Sequence, residues 1–213
     1  MKEAKTVIFD FNGTILDDLD LCFNILNKML NMYNHPSITK ERYLDIFTFP
    51  VIEYYKKAGF DFSKESFDEL APIFMDLYQP NSLKCSLHEG IIDLIKKYRN
   101  EGKKIVLLSA SKRNLMIEQL ESFGIINLFD EILGTGTINA VGKIELAREY
   151  LNSNHIDKNT TIMIGDTLHD DEIAEVLGVQ SFLIAKGHQS KERLMTSKAC
   201  VLDDIREIVN YIY

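Results

Sequence analysis

The chain carries no basic stripe, no paired cysteines and no long apolar run, and each absence removes a class of function. With 32 acidic against 24 basic residues and a formal charge of −8, it lacks the positive surface that tracks nucleic-acid phosphates, so no nucleic-acid partner is expected. Cys22, Cys85 and Cys200 stand far apart, in no CxxC or metal-ligand spacing, and read as free packing thiols in a reducing compartment. No apolar stretch approaches the roughly 18 residues of a membrane span, and the start at Met1 to Lys5 runs straight into a strand-like segment. A cytoplasmic protein with no membrane partner is the expectation. Repeats, low-complexity tracts and Gly/Ser linkers are missing too, and no exposed apolar stripe announces an oligomer, so the oligomeric state stays open.

What is present is enough apolar material for a core: 46% of 213 residues are hydrophobic, which suits a main domain with a smaller insertion. Short apolar runs recur at Val7 to Phe9, Lys104 to Ser109, Glu131 to Leu133, Thr161 to Gly165, Ser181 to Ala185 and Ala199 to Leu202. Segments of helical spacing separate them, such as Ile91, Leu94, Ile95 and Tyr98, or Ile205, Ile208, Val209 and Ile212. Alternating strands and helices predict an α/β fold, a doubly wound parallel sheet. Roughly 90 residues without a convincing strand separate the first run from the second, where a crossover needs about a dozen. Within them Leu19, Cys22, Phe23, Leu26, Leu30 and Tyr33 share one face of a helix that starts near Asp18, a candidate N-cap. Further helical pieces are expected around 39–58 and 63–78. The expected division is a core of 1–17 and 85–213 with a helical cap inserted at 18–84.

Asp10 ends the first apolar run and is followed by Asn12, Gly13 and Thr14, as a buried parallel strand would deliver a side chain to a cleft. Gly13 and Thr14 let the chain turn tightly away. Read alone, Asp10 is equally a turn-capping residue. Asp166 and Asp170 follow the run Thr161 to Gly165 and open a helix. Carboxylates leaving neighbouring strands at one edge repel each other unless a cation lies between them, and hard oxygen ligands favour Mg²⁺; the plain alternative is favourable charge at a helix N-terminus. Ser109 ends the second run ahead of a helix expected near Lys112, where a hydroxyl and free N–H groups make an anion cradle, with Ser111 as its N-cap. Lys143 sits in a first helical turn, where the dipole disfavours a cation, and so hints at an anion to balance.

Taken in order, Asp10-Phe-Asn12-Gly13-Thr14, Ser109, Lys143 and Gly165-Asp166-x-x-x-Asp170 resemble the four signature motifs of the haloacid dehalogenase-like hydrolase superfamily. The helical insertion resembles the small cap of its phosphoglycolate phosphatases and β-phosphoglucomutases. The likeness implies a phosphohydrolase of a small phosphorylated metabolite in which Asp10 forms an aspartyl-phosphate. It implies Mg²⁺ held by Asp10, Asp166 and the main-chain carbonyl of Asn12, with Asp170 acting from behind. Ser109 and Lys143 would neutralise the transferring phosphoryl group, and Thr14, Ser111 and Arg42 are candidates for substrate contact. A non-catalytic phosphate-binding protein is the rival of a different class. Among enzymes, a mutase is disfavoured for want of an acid and a dehalogenase because a halide needs no metal.

Asn12 departs from the family pattern, which has Asp there to protonate the leaving oxygen and then to deprotonate water. An amide does neither, and losing such a group costs about 10² to 10⁴ in rate. Four explanations stand: His169 or His188 carries the proton, the leaving group needs little protonation, the chain binds without fast turnover, or the Asn replaces an Asp in order to trap a complex. Both histidines otherwise read as solvated. The aromatic and cationic mixture at Arg42, Tyr43, Phe47, Phe49, Tyr54, Tyr55 and Lys56 suits a lid, with most of the aromatics in the cap's own core.

Overall fold

Thr6, Val7, Ile8 and Phe9 are all buried, on both faces of the first strand, as a strand covered by helices on both sides must be. The computed structural model describes residues 3–135 and 141–211. The chain runs through β1 (Thr6–Phe9), β2 (Leu16–Asp17), α1 (Leu19–Met32), α2 (Lys40–Ile46), α3 (Val51–Ala58), α4 (Phe67–Ser82) and β3 (Ser86–Leu87). It continues through α5 (Ile91–Asn100), β4 (Lys104–Lys112), α6 (Arg113–Ser122), β5 (Glu131–Thr135), α7 (Val141–Ser153) and β6 (Thr161–Gly165). Last come α8 (Leu168–Leu177), β7 (Gln180–Ile184), α9 (Lys191–Leu194) and β8 (Cys200–Leu202).

Six of the strands form one sheet in the order β5-β4-β1-β6-β7-β8, every pair parallel. Val7 and Phe9 belong to one apolar cluster with Leu94, Ile95 and Tyr98 of α5, while Ile8 joins another with Ala147 of α7 and Ile173 and Leu177 of α8. Side chains that alternate along β1 thus meet helices on opposite faces, which is the doubly wound arrangement. Because β1 lies between β4 and β6, three strand ends converge at one edge.

A third cluster is built almost wholly from the segment between β1 and α5. Leu26, Met29 and Leu30 of α1, Tyr43 and Ile46 of α2, Tyr54 and Tyr55 of α3 and Leu70 of α4 are all buried in it. β2 and β3 pair antiparallel, Leu16 against Leu87, where the chain leaves and returns. These two short strands were not expected from sequence, since two residues carry no periodicity. The helical piece expected over 39–58 is two helices, broken at Pro50, which lacks an N–H and restricts the residue before it. The piece expected over 63–78 starts later and ends later, as α4, with the Ser66 side chain accepting from the Asp68 N–H. The last segment, expected to be an α-helix, is a 3-10 turn over Ile205–Asn210 that still buries Ile205 and Ile208; Ile212 lies outside the described residues. Among the described residues, no helix is long and apolar enough to cross a membrane.

Candidate active site

Asp10 leaves the end of β1 with its backbone N–H bonded to the Ile164 carbonyl of β6, and the residue is 7% exposed. Lys143, from the first turn of α7, reaches it with Nζ 2.6 Å from Asp10 Oδ1 and 2.8 Å from Asp170 Oδ1. The misplaced cation of the sequence therefore has its anions, and they are carboxylates of the chain itself. Burial pushes Asp10 up, Lys143 pulls it down, and the Asp170 and Asp166 carboxylates push again; the balance lies at about 8. Asp166 is also pushed up by burial, to about 6, against the pull of His188. Asp170, equally buried, is held low by Lys143 and by the Thr167 hydroxyl. Carboxylate oxygens of Asp10, Asp166 and Asp170 lie within 4.8 Å of one another. Three buried carboxylates against one ammonium leave the cluster short of positive charge.

Local structure holds each member in place. Asp170 closes a capping box at the start of α8: its Oδ2 accepts from the Thr167 N–H at 3.1 Å and the Thr167 hydroxyl at 2.7 Å. Asp166 accepts from the Thr14 hydroxyl at 3.1 Å and the His188 N–H at 2.7 Å. The backbone has to come close for this. A Cβ at Gly13, which turns with φ +73°, would stand 2.3 Å from Asp166 Oδ2, and one at Gly187 would stand 2.1 Å from the same atom.

Asn12 faces a second group of residues. Its Nδ2 donates to Asp18 Oδ2 at 3.0 Å and to the Tyr78 hydroxyl at 2.6 Å. Its Oδ1 accepts from the Ser111 hydroxyl at 2.9 Å and the Ser109 hydroxyl at 3.3 Å. Asp18 also accepts from the Gly13 N–H, from the Tyr78 hydroxyl at 2.6 Å and from His188 Nε2 at 3.2 Å. Burial would raise its carboxyl, but the His188 charge and these hydrogen bonds win and hold it below the usual range. Burial lowers His188, yet Asp18 and then Asp166 and Asp10 carry it up to about 9, so the ring is an imidazolium at neutral pH. Its Nδ1 lies 2.9 Å from the Tyr43 hydroxyl, and the ring stacks on Phe47 at 4.6 Å.

Several expectations are corrected here. Asp18 flanks α1 in the N-cap position, but its side chain makes no capping bond; it is the hub of the Asn12 network. Ser111 does not cap α6. Lys112 holds that position, because β4 runs on to it, and the Ser111 hydroxyl turns to Asn12. Thr14 is 2% exposed and donates its hydroxyl to Asp166 Oδ1. His188 is buried, not solvated. His169 points away from Asp10, to Glu172 Oε2 at 3.1 Å, and rests against Phe49. Arg42 is exposed and reaches the Lys57 carbonyl. The cysteines are free. Neither His169 nor Arg42 lines the cavity of about 250 Å³ that opens over Asp10, Asn12, Ser109, Lys143 and Asp166.

Sequence reasoning missed Tyr78, and it named Asp18 only as a helix cap and Tyr43 only as part of a lid, because their roles depend on partners far along the chain. It also missed Gln189, which accepts from the Leu168 N–H and donates to the Phe47 carbonyl, and Arg193, which donates to the carbonyls of Leu44 and Phe47. A polar residue beside His188 was the one available hint.

A doubly wound sheet that gathers buried acids and a lysine at the carboxyl ends of its central strands defines an α/β protein with its reactive cleft at the topological switch point. The chain belongs to the haloacid dehalogenase-like hydrolase family, whose pattern matches residues 7–184. It is 20% identical over 212 residues to a phosphoglycolate phosphatase from Aliivibrio fischeri, covering 95% of this chain and 93% of that one. Among solved structures it resembles a haloacid dehalogenase-like hydrolase from Streptococcus pneumoniae, with a TM-score of 0.76, 18% identity and 99% of each chain covered. It also resembles protein tyrosine kinase A of Mycobacterium tuberculosis, with a TM-score of 0.82, 21% identity and 99% of each chain covered. At these identities the structures speak for the fold, and one fold hosts different phosphoryl chemistries.

Proposed function

We propose that the chain is a phosphatase that hydrolyses the phosphate monoester of a small metabolite, with Asp10 as nucleophile. The observation that carries this reading is the single buried cluster of Asp10, Asp166, Asp170 and Lys143 beneath the cavity. The phosphoglycolate phosphatase relative supports it.

The residues fit Mg²⁺. Their donors are hard carboxylate oxygens, and the cluster is short of positive charge. Asp10, Asp166 and the main-chain carbonyl of Asn12 would hold the ion, which when bound supplies charge that offsets the phosphoryl oxygens. Asp10 attacks phosphorus to form an aspartyl-phosphate, and water then cleaves it. Asp170 acts on Lys143 by holding its Nζ toward Asp10. Ser109 and Lys143 take up charge on the transferring group. Residues 18–84 serve as a cap over a core of 1–17 and 85–213, excluding water from the cleft. The free thiols suit a reducing, cytoplasmic setting.

A second reading, binding of phosphate esters without turnover, is favoured by one observation: Asn12 carries no proton to give or take. The test is hydrolysis of a phosphomonoester panel with and without Mg²⁺ by the parent, Asp10→Asn and Asn12→Asp. Turnover is expected to need Mg²⁺, to fall by about 10⁴ or more in Asp10→Asn and to rise by about 10² to 10⁴ in Asn12→Asp. If the parent and Asn12→Asp are both inert, the phosphatase reading fails and the binding reading stands. Activity that survives in Asp10→Asn removes the nucleophile.

A further inference from the structure

The cavity above Asp10 is walled on the side of residues 18–84 by aromatic and aliphatic groups, among them Phe47, Phe49, Tyr54, Phe67, Phe74 and Met75. No Lys or Arg of that segment lines it among the described residues. Four of the segment's cations have partners elsewhere: Arg42 the Lys57 carbonyl, Lys40 Asp20, Lys56 Glu53 and Lys64 Asp61. The lysines that do line the cavity, Lys112 and Lys143, come from β4 and α7, and Lys143 is already engaged by Asp10 and Asp170. Asp18 adds a fourth carboxylate to the lining. A leaving group that carries its own carboxylate, as glycolate does, would meet no Lys or Arg on that wall, and the cations lining the rest of the cavity, Lys112, Lys143 and the His188 imidazolium, stand against four carboxylates. A flat apolar ring would meet the aromatic side chains of that wall.

Asn12 points to the same chemistry. Its amide is saturated by Asp18, Tyr78, Ser109 and Ser111 and has no acidic proton. An aliphatic alkoxide, whose acid lies nearer the 15.7 of water, needs a proton as it leaves. A phenoxide, whose acid has a pKa of about 10, departs without one. In a loose phosphoryl-transfer transition state charge builds on the leaving oxygen, so that difference acts directly on the rate.

Resting on the phosphatase reading above, we propose that the substrate is an aryl phosphate, a small monoester whose leaving group is a phenol. Asp10 Oδ attacks phosphorus, the P–O(aryl) bond breaks, and the aryloxide leaves with the electron pair and takes its proton from water. Water then attacks phosphorus, the P–O(Asp) bond breaks, and Asp10 is regenerated as inorganic phosphate and a solvent-borne proton are released.

The test compares phenyl phosphate, cyclohexyl phosphate and phosphoglycolate with Mg²⁺ present. Cyclohexyl phosphate has an apolar ring but leaves as an alkoxide, so it separates fit from leaving-group chemistry. The expected order in kcat/KM is phenyl above cyclohexyl above phosphoglycolate, with phenyl phosphate ahead of phosphoglycolate by at least about tenfold. Phe74→Ala should raise KM for both ring substrates by about tenfold and for phosphoglycolate by clearly less, and Phe74→Leu, which keeps an apolar side chain there, should recover most of that loss. Asn12→Asp should raise kcat for cyclohexyl phosphate by about 10² and for phenyl phosphate far less. Phosphoglycolate turned over as fast as phenyl phosphate, or a Phe74→Ala effect equal on all three, overturns the aryl assignment and leaves the phosphatase reading standing. No turnover of any ester by the parent or by Asn12→Asp overturns both.

Discussion

Asn12 is held by two donors and two acceptors at once, an arrangement that an amide satisfies and a carboxylate does not. Asp18 is acceptor-only, so it dictates that the nitrogen end of the amide faces it. An Asp at this position would bring two carboxylates to about hydrogen-bond distance, and one would be forced to keep a proton. That is why Asn12→Asp is expected to create an acid rather than a second anion. Across the same network, His188 makes stability depend on pH. Its folded pKa of about 9 lies above the ordinary 6.5, so its contribution is complete below pH 6.5 and is lost as pH rises through 9. The lowered Asp18 works from the other side, contributing above its ordinary 3.8 and losing that contribution as pH falls. In metal-free buffer the melting temperature should drop between pH 7 and 9.5, a loss on the order of 2 kcal/mol from His188. His188→Gln should flatten that slope; an unchanged slope would mean that the imidazolium is not what holds Asp18.

At the scale of elements, β4 and α1 show where chain patterns succeed and where they stop. The helical face of α1 was legible because Cys22, Leu26 and Leu30 recur at four-residue steps, and those residues are buried. Leu30 is fully buried among residues of the insertion, so Leu30→Ala should cost about 2–5 kcal/mol in chemical denaturation. A cost well below 1 kcal/mol would mean that this cluster collapses around the gap or is not closely packed. The end of β4 was not legible. Ser109, Ala110 and Ser111 have no strand pattern, and the strand persists through an irregular pairing with β5 before Lys112 meets Thr135. That extension is what turns the Ser111 hydroxyl toward Asn12.

The whole molecule concentrates negative charge where the sheet's central strands end, and its response to cations should show it. Mg²⁺ should raise the melting temperature of the parent, with a stabilisation of about 2.7 kcal/mol at a concentration one hundred times its dissociation constant. Asp166→Asn should abolish most of that rise, and titration followed by thermal unfolding measures it without any substrate. An equal rise in Asp166→Asn would place the cation elsewhere.

The sequence by itself determined the alternation of strands and helices, the helical stretch between the first two core strands, and the acids and lysine at the strand ends. Those are properties of periodicity and local order, and a parallel sheet has few other ways to close. Tertiary structure decided the rest, because contacts between distant residues leave no trace in spacing. Asp18 looked like a helix cap until Tyr78, 60 residues away, and His188, 170 residues away, were brought to its oxygens. His169 and His188 looked alike in the chain; one faces Glu172 at the surface and the other is buried beneath the insertion. The same folding turned the aromatic stretch of residues 47–75 into the wall of a cavity and left Arg42, Lys56 and Lys64 at the surface, a juxtaposition that spacing along the chain does not encode.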